Sequence, residues 1–418
     1  MGYFKEALVG TGWMGMLRGI TRGVGFLKIA ILARLLTPEQ FGIFGIAGIT
    51  LALLETFTET GLSLALVQQK EDIEEYISTA WVISLLRGVV IGIIILIASS
   101  LVTAFFHQPQ AFSLLSLIAL VPVIRGAINP AAVNFVKKLD FGKEFRLRSG
   151  VLAADAVASL IFAFALRNAT AIVIGMLAGA VMEVVLTFTM TTIKPKLVLV
   201  RSQVRKLLGF GKWVTLGGIM GYLSEQFDDI MVGRILGTTS LGVYQMAFKL
   251  SVLPSAEIAE TLSKVTFPVY TRIADDHARL RRALSKTVSV NAAIALPACL
   301  LIILFPQLII RVALGEQWLA AALPLQILAI YGLARALSQA PSSVLYAAGR
   351  PDIAAKLRSL QFMLMAVIII PLIRLYGLPG AAIAVVMSAI VTQVPLWIAV
   401  RKFLYEVRDN PQGKIFPP

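Results

Sequence analysis

The sequence predicts an all-α membrane protein of about twelve transmembrane helices, arranged as two six-helix lobes related by a parallel internal repeat. Three observations predict it. Apolar stretches of membrane-crossing length recur from end to end, basic residues concentrate in alternate loops, and one stretch of the first half returns 200 residues later.

Of the 418 residues, 58% are hydrophobic and 15% charged, and mean hydropathy is +0.83. A soluble domain is nearer 45–50% apolar and about 25% charged, so this chain cannot cover itself with polar surface in water. The net charge of +15 sits in short hydrophilic breaks between apolar segments, a distribution that argues against nucleic acid as a partner. Cys299, the one cysteine, leaves no intrachain disulfide. His107 and His277 lie far apart without Cys or His companions, so no metal site of that kind is expected. The N-terminus shows no cleavable signal-peptide pattern, because its apolar stretch is long, contains arginines and is followed by another span.

The expected spans of the first lobe (1–208) are 10–35, 41–67, 78–106, 111–134, 149–166 and 169–192. Those of the second (209–418) are 210–237, 240–268, 285–311, 318–347, 354–375 and 379–401. The fifth is short and ends at Arg167-Asn168. Lys and Arg mark cytoplasmic loops. They cluster at Lys137–Arg148, Lys194–Lys206, Arg272–Lys286, Arg350–Arg358 and in the tail from Arg401, while the loops at 107–110 and 237–240 carry none. That phase requires an even number of spans and places both termini in the cytoplasm. The acidic loop 70–75 departs from the pattern, but acids weigh little in this rule.

Residues 34–47 (RLLTPEQFGIFGIA) align without gaps on 234–247 (RILGTTSLGVYQMA). Arg34 meets Arg234, Gly42 meets Gly242, Ala47 meets Ala247, and Phe44 faces Tyr244. Trp13 and Trp213 extend the register, and Lys138-Leu-Asp140 is echoed by Arg350-Pro-Asp352. An offset of six helices keeps both copies in one orientation, so the repeat axis lies along the membrane normal, with 193–209 as the natural boundary.

The stretches LARLLTPEQFGIFGIA, GLSLALVQQKE and FVKKLDFGKEF, with the weaker AAGRPDIAAKLRS, resemble the polysaccharide transporter branch of the multidrug/oligosaccharidyl-lipid/polysaccharide exporter superfamily, the Wzx-like flippases and lipopolysaccharide exporters. The resemblance implies a transporter and not an enzyme. It implies movement of undecaprenyl-diphosphate-linked oligosaccharide across the bacterial inner membrane, by alternating access of two lobes around a cationic cavity. Membrane lipids, a polysaccharide polymerase and chain-length proteins are the partners it suggests, and a monomer is the expected state. A cation-coupled multidrug exporter of the same superfamily is the alternative. A membrane-embedded glycosyltransferase or ligase would want a large extramembranous loop with a catalytic acid or base, and every expected periplasmic loop is short.

Charges inside spans cost at least about 2.5–3.5 kcal/mol each at a helix centre and usually face a cavity or a partner. The cationic candidates are Arg18 and Arg22 on one face of span one, Lys28 on the same span, Arg87 and Arg125 in spans three and four, Lys249 in span eight and Arg335 in span ten. In a flippase they would bind phosphate oxygens, for which guanidinium offers a bidentate fork. The plainer reading is snorkelling of Arg18 and Arg87 to the cytoplasmic interface and neutralisation of buried acids by the others. The acidic candidates are Glu55 and Glu59 in span two, Glu225, Asp228 and Asp229 within one turn of span seven, and Glu257, with Glu260, in span eight. Acids this close in a low-dielectric site cannot all ionise, which is what coupling to a proton or sodium gradient needs. The structural alternative pairs Asp228 or Asp229 with Lys28 or Arg22. No other cofactor is expected: Gly10-Thr-Gly12-Trp-Met-Gly15 matches GxGxxG but follows no strand, and no phosphate-binding GxxxxGK[ST] loop occurs. Asn168-Ala-Thr170 matches a glycosylation triplet by letter, with no expected role in a bacterial protein. Pro122, Pro254, Pro297, Pro324 and Pro395 are expected to kink their helices.

Overall fold

The computed structural model describes residues 2–58, 74–138, 140–204 and 211–406, with side chains at all of these except 2–18, 211–217, 255–265 and 405–406. All regular structure among them is helical. The first half holds α1 (Gly2–Leu35), α2 (Pro38–Phe57), α3 (Glu74–Phe106), α4 (Ala111–Ile118), α5 (Leu120–Gly126), α6 (Val133–Lys137), α7 (Phe141–Leu166) and α8 (Thr170–Met190). After it come α9 (Gly211–Arg272), α10 (His277–Leu304), α11 (Pro306–Ala313), α12 (Ala322–Ala347), α13 (Pro351–Tyr376) and α14 (Leu378–Glu406). Among the described residues eight helical segments are long and apolar enough to cross a membrane, or nine if the bent α4–α6 segment is one span. This is a multi-pass membrane protein. At 34 and 62 residues, α1 and α9 also exceed the length of a crossing.

Local chemistry sets the helix ends. Thr37 caps α2 by accepting the Gln40 N–H, and Pro38 follows at the first helical position, where its missing N–H costs nothing. Asp140 caps α7 by accepting the Lys143 N–H at 3.1 Å. Burial opposes ionisation of Asp140, but the side-chain and backbone hydrogen bonds of Lys143 and the charges of Lys143 and Arg146 outweigh it, holding the carboxyl below its usual value. This cap corrects the expected fifth span, 149–166. The helix has 26 residues and begins at Phe141, because its charged first turns are helical although not apolar.

Spans four and nine also differ from expectation. The stretch 111–134 is broken, with a bend of 65° between Ala111–Gly126 and Pro130–Lys137. Asn129 is extended, Pro130 offers no N–H, and the buried Asn129 side chain accepts the Ala131 N–H at 3.0 Å while donating to Thr191 Oγ1 and the Ile193 carbonyl, both at 2.8 Å. The expected 285–311 is two helices, α10 and α11, parted at Phe305-Pro306. The stretches expected as the seventh and eighth spans fall on the two arms of α9, separated by Gly237 at φ 84° and ψ 179°, a conformation open to glycine but strained for other residues. Of the anticipated kink prolines, Pro254, Pro297 and Pro395 lie inside helices, joined by Pro268, Pro341 and Pro371. Pro122 lies in α5 just before the bend, and Pro324 sits in the first turn of α12.

The chain divides into two compact units, Met1–Gln226 with Gly237–Gly242, and Phe227–Leu236 with Val243–Pro418. The lobe boundary expected at 208/209 lies outside the described residues, as do the end of the expected second span and Glu59. Within the first unit the repeated glycines face each other reciprocally. A Cβ on Gly42 would lie 1.8 Å from the Thr238 carbonyl oxygen, and one on Gly242 would lie 2.0 Å from that of Pro38. Each glycine therefore opposes the carbonyl four residues before the other, a geometry suited to Cα–H···O contacts. Gly88 and Gly126 repeat the device between α3 and α5, opposing the carbonyls of Pro122 and Ser84 at 2.2 and 2.7 Å from the corresponding Cβ positions.

Because the opposing atoms are backbone, Gly42→Val or Gly242→Val should cost at least the roughly 1–3 kcal/mol of an overpacked core. In detergent each variant should lose thermal stability by fluorescence-detected size exclusion, whereas Gly48→Ala, with open space at its Cβ, should match the parent.

Candidate functional site

The first unit gathers two of the predicted arginines. Arg87 and Arg125 directly precede Gly88 and Gly126, so the close crossing of α3 and α5 brings both guanidinium groups to the C-terminal end of α2. Arg87 donates to the Glu55 carbonyl oxygen at 2.7 Å and to the Thr58 hydroxyl at 3.2 Å. Arg125 donates to the Glu55 carboxylate at 3.0 Å, with side chains 41% and 31% exposed. Both guanidinium groups thus meet at Glu55, Arg87 on its backbone and Arg125 on its carboxylate, and Arg125 is the more exposed of the two.

Lys28 has a different setting. Its ammonium donates to both carboxylate oxygens of Asp155 on α7, at 2.8 and 2.6 Å, and the two side chains are only 12% and 22% exposed. Ser159 adds a 3.4 Å hydrogen bond to the same carboxylate. Gly175 and Gly179 on α8 make room for this pair: a Cβ on Gly175 would lie 1.8 Å from Ser159 Oγ and 2.8 Å from Asp155 Oδ1. The sequence alternative gave Lys28 a span-seven acid as partner; the partner it has is Asp155, in its own unit. A second ion-pair group joins α7 and α8, where Arg148 donates to Glu144 at 2.8 Å and to Glu183 at 3.0 Å.

In the second unit Asp228 and Asp229 lie on the first arm of α9, and the turn at Gly237 returns the second arm beside them. Tyr244 donates its hydroxyl to buried Asp228 at 2.7 Å, and the Gln245 amide donates to Asp229 at 3.0 Å. Phe248 continues from Tyr244 and packs on Tyr331 of α12, with ring centroids 5.4 Å apart. Arg335 projects one turn beyond Tyr331, and Lys249 follows Phe248; both are exposed. Glu225 and Arg22 are exposed as well. The side chains of Arg18 and Glu257 lie outside the description. Among the described residues no three His, Cys, Asp or Glu side chains cluster as a metal site would need.

The sequence profile of polysaccharide biosynthesis proteins matches residues 31–324. The chain belongs to that family. It is a member of the polysaccharide transporter and flippase group of the exporter superfamily, and members are transporters, not enzymes. It is 25% identical over 392 residues to the lipopolysaccharide biosynthesis protein WzxC of Escherichia coli K12, covering 93% of this chain and 79% of the relative. Over 354 residues it is 22% identical to the teichuronic acid biosynthesis protein TuaB of Bacillus subtilis 168, covering 84% and 73%. Two solved structures share the fold at a TM-score of 0.73. One is an inward-facing multidrug resistance MATE family transporter, at 14% identity over 93% of this chain and 95% of that one. The other is the lipid II flippase MurJ in an inward closed conformation, at 15% identity over 95% and 90%.

Sequence reasoning about this family member passed over Asp155, Glu144 and Glu183. Asp155 had a readable signal, a lone acid in the apolar run VLAADAVASL facing a Gly175-x-x-x-Gly179 pattern of the kind that lets helices approach closely. Lys28→Met and Asp155→Asn should each destabilise the protein, because either leaves a mostly buried charge without its partner. The cost should stay below the roughly 3–5 kcal/mol of a fully buried pair, since Asp155 keeps some exposure. Thermal melts of both single variants and the double variant test this, and the double should lose less than the sum of the singles.

Proposed function

We propose that this protein moves undecaprenyl-diphosphate-linked oligosaccharide repeat units from the cytoplasmic to the periplasmic leaflet of the bacterial inner membrane, for O-antigen, exopolysaccharide or capsule. The observation that carries the proposal is the Glu55–Arg87–Arg125 trio. Two guanidinium groups converge on one residue, and a diphosphate that took the place of the Glu55 carboxylate on exposed Arg125 would accept paired N–H bonds there. The names of the relatives, which concern lipopolysaccharide and teichuronic acid biosynthesis, and a fold shared with a lipid II flippase support the same substrate class.

Twelve crossings follow if α1 and the two arms of α9 are added to the nine apolar spans. The alternation of basic loops then places both termini in the cytoplasm, and two six-helix lobes supply alternating access. In this reading Asp228 and Asp229 couple transport to a proton or sodium gradient. Each accepts a side-chain hydrogen bond from a neutral donor, Tyr244 or Gln245, and adjacent intramembrane carboxylates call for a neutralising cation. The aromatic run Tyr244, Phe248 and Tyr331 beside those acids favours the second reading, a cation-coupled multidrug exporter, because aromatic faces attract organic cations.

A strain lacking the gene separates the two. Loss of surface polysaccharide, with lipid-linked repeat units retained on the cytoplasmic side, is the expected result; intact polysaccharide with sensitivity to cationic dyes would establish the exporter instead. In the complemented strain Arg87→Gln and Arg125→Gln should reduce export by at least about tenfold, the scale of one lost charge-assisted contact, at unchanged levels of inserted protein. Asp228→Asn or Asp229→Asn should alter the pH or sodium dependence of transport, and an unchanged dependence in both would leave these acids a structural role.

A further inference from the structure

Outside the charge clusters described above, the second unit contains a cleft of about 470 Å³ between α10 and α14. The two helices run antiparallel here, so the start of α10 meets the end of α14. On α10 the wall is a stripe of Arg281, Ser285 and Ser289, each one turn from the last, with Val288 beside it; on α14 it includes Trp397 and Arg401. The floor is firm. Leu284 and Val400, which line the cleft, are buried in a core shared with Tyr270, Val344 and Leu396, so the cavity is formed before any ligand arrives.

Its chemistry is graded along its length. Both arginines lie at the end of the cleft nearest the basic first turns of α10, and among the described residues no acidic side chain lines it. From Arg281 to Ser289 the helix rises about 12 Å, enough to pass from an interfacial layer into the hydrocarbon region. Beyond the arginines the wall combines the hydroxyls of Ser285 and Ser289 with the apolar faces of Val288 and Trp397, and an amphipathic indole suits an interfacial depth. The volume falls within the roughly 300–1,000 Å³ of ordinary small-molecule sites. A ligand that complements this gradient has a compact anion at one end and an apolar chain at the other. Basic pockets between transmembrane helices select such molecules from the surrounding bilayer.

We propose that this cleft is a binding site for an anionic glycerophospholipid, its phosphate held between Arg281 and Arg401 and an acyl chain lying against Val288 and Trp397. The site faces the leaflet from which α10 departs, the cytoplasmic one if the proposed orientation holds, and it is separate from the Glu55–Arg87–Arg125 trio. It requires only that the protein span a membrane, so it stands or falls independently of the transported substrate.

Native mass spectrometry of the full chain, released from detergent with phosphatidylglycerol or phosphatidylcholine added, tests the site. The intact protein should retain phosphatidylglycerol in preference to phosphatidylcholine. Arg281→Gln with Arg401→Gln should lower that retention roughly tenfold, as expected for lost hydrogen bonds to a charged group. Val288→Trp, which fills the cleft and leaves both charges in place, should lower it too, and serves if the arginine variant fails to fold. Equal retention of the two lipids, or retention of phosphatidylglycerol unchanged in the folded variants, would overturn the proposal. So would arginine-dependent binding of undecaprenyl diphosphate or inorganic pyrophosphate without phosphatidylglycerol, which would give the cleft to the substrate or to a free anion.

Discussion

A peptide group that leaves its helix inside a bilayer has no water to turn to and must find a partner in the protein, at a cost of several kcal/mol if it does not. The irregular points of this structure are organised around that demand. At the bend before Pro130, Asn129 spends its side chain on the Ala131 N–H, Thr191 and the Ile193 carbonyl, while the Trp81 indole donates to the Ala127 carbonyl at 3.0 Å. The Ala169 N–H at the start of α8 donates to the Gln40 side chain, and Gln326 donates to the Ile303 carbonyl ahead of the break at Phe305. In the turns before Pro341, the carbonyls of Ala334 and Ala336 accept from Gln393 and Asn291. Several polar side chains thus serve the backbone at such points, and Trp81, Gln40, Asn291, Gln326 and Gln393 do so from a neighbouring helix.

That arrangement explains what could be read from the chain and what could not. Apolar length leads to the helices, because it is a property of a single segment. The offset of 200 residues even picks out Gly42 and Gly242 as a matched pair. It could not tell that they face one another, since that depends on how two helices cross. Asn129-Pro130 and Phe305-Pro306 carried ordinary turn signals, but continuous hydropathy over 111–134 and 285–311 concealed them. Of the proposed site, the residue types were legible and the partnerships were not. Nothing in linear order says that Arg87 and Arg125 converge on Glu55, or that Lys28 turns to Asp155, which lies 127 residues away.

The charges thereby sort into two kinds of setting. Lys28 and Asp155 are enclosed by small residues on α7 and α8, with two short contacts between one ammonium and one carboxylate, so this pair fixes helices to one another. Arg125 and Glu55 are joined by a single longer contact and stay accessible. A buried ion pair is weak evidence for stability but holds geometry well; an exposed one contributes about 0–1 kcal/mol and is correspondingly easy to exchange. Rigidity and availability thus fall to different residues within one unit.

The reciprocal glycine contacts make asymmetric demands on the two residues that form them. At Gly42 and Gly242, and again at Gly88 and Gly126, the side that approaches must lack a Cβ, but the side approached offers only a peptide oxygen. Every amino acid supplies that oxygen, so the opposing positions are released from any requirement of identity. Pro38 and Thr238, and likewise Pro122 and Ser84, differ accordingly, while the glycine opposite each is the same. The two copies of the repeat can therefore drift apart around such a joint, and acquire separate tasks, without loosening it.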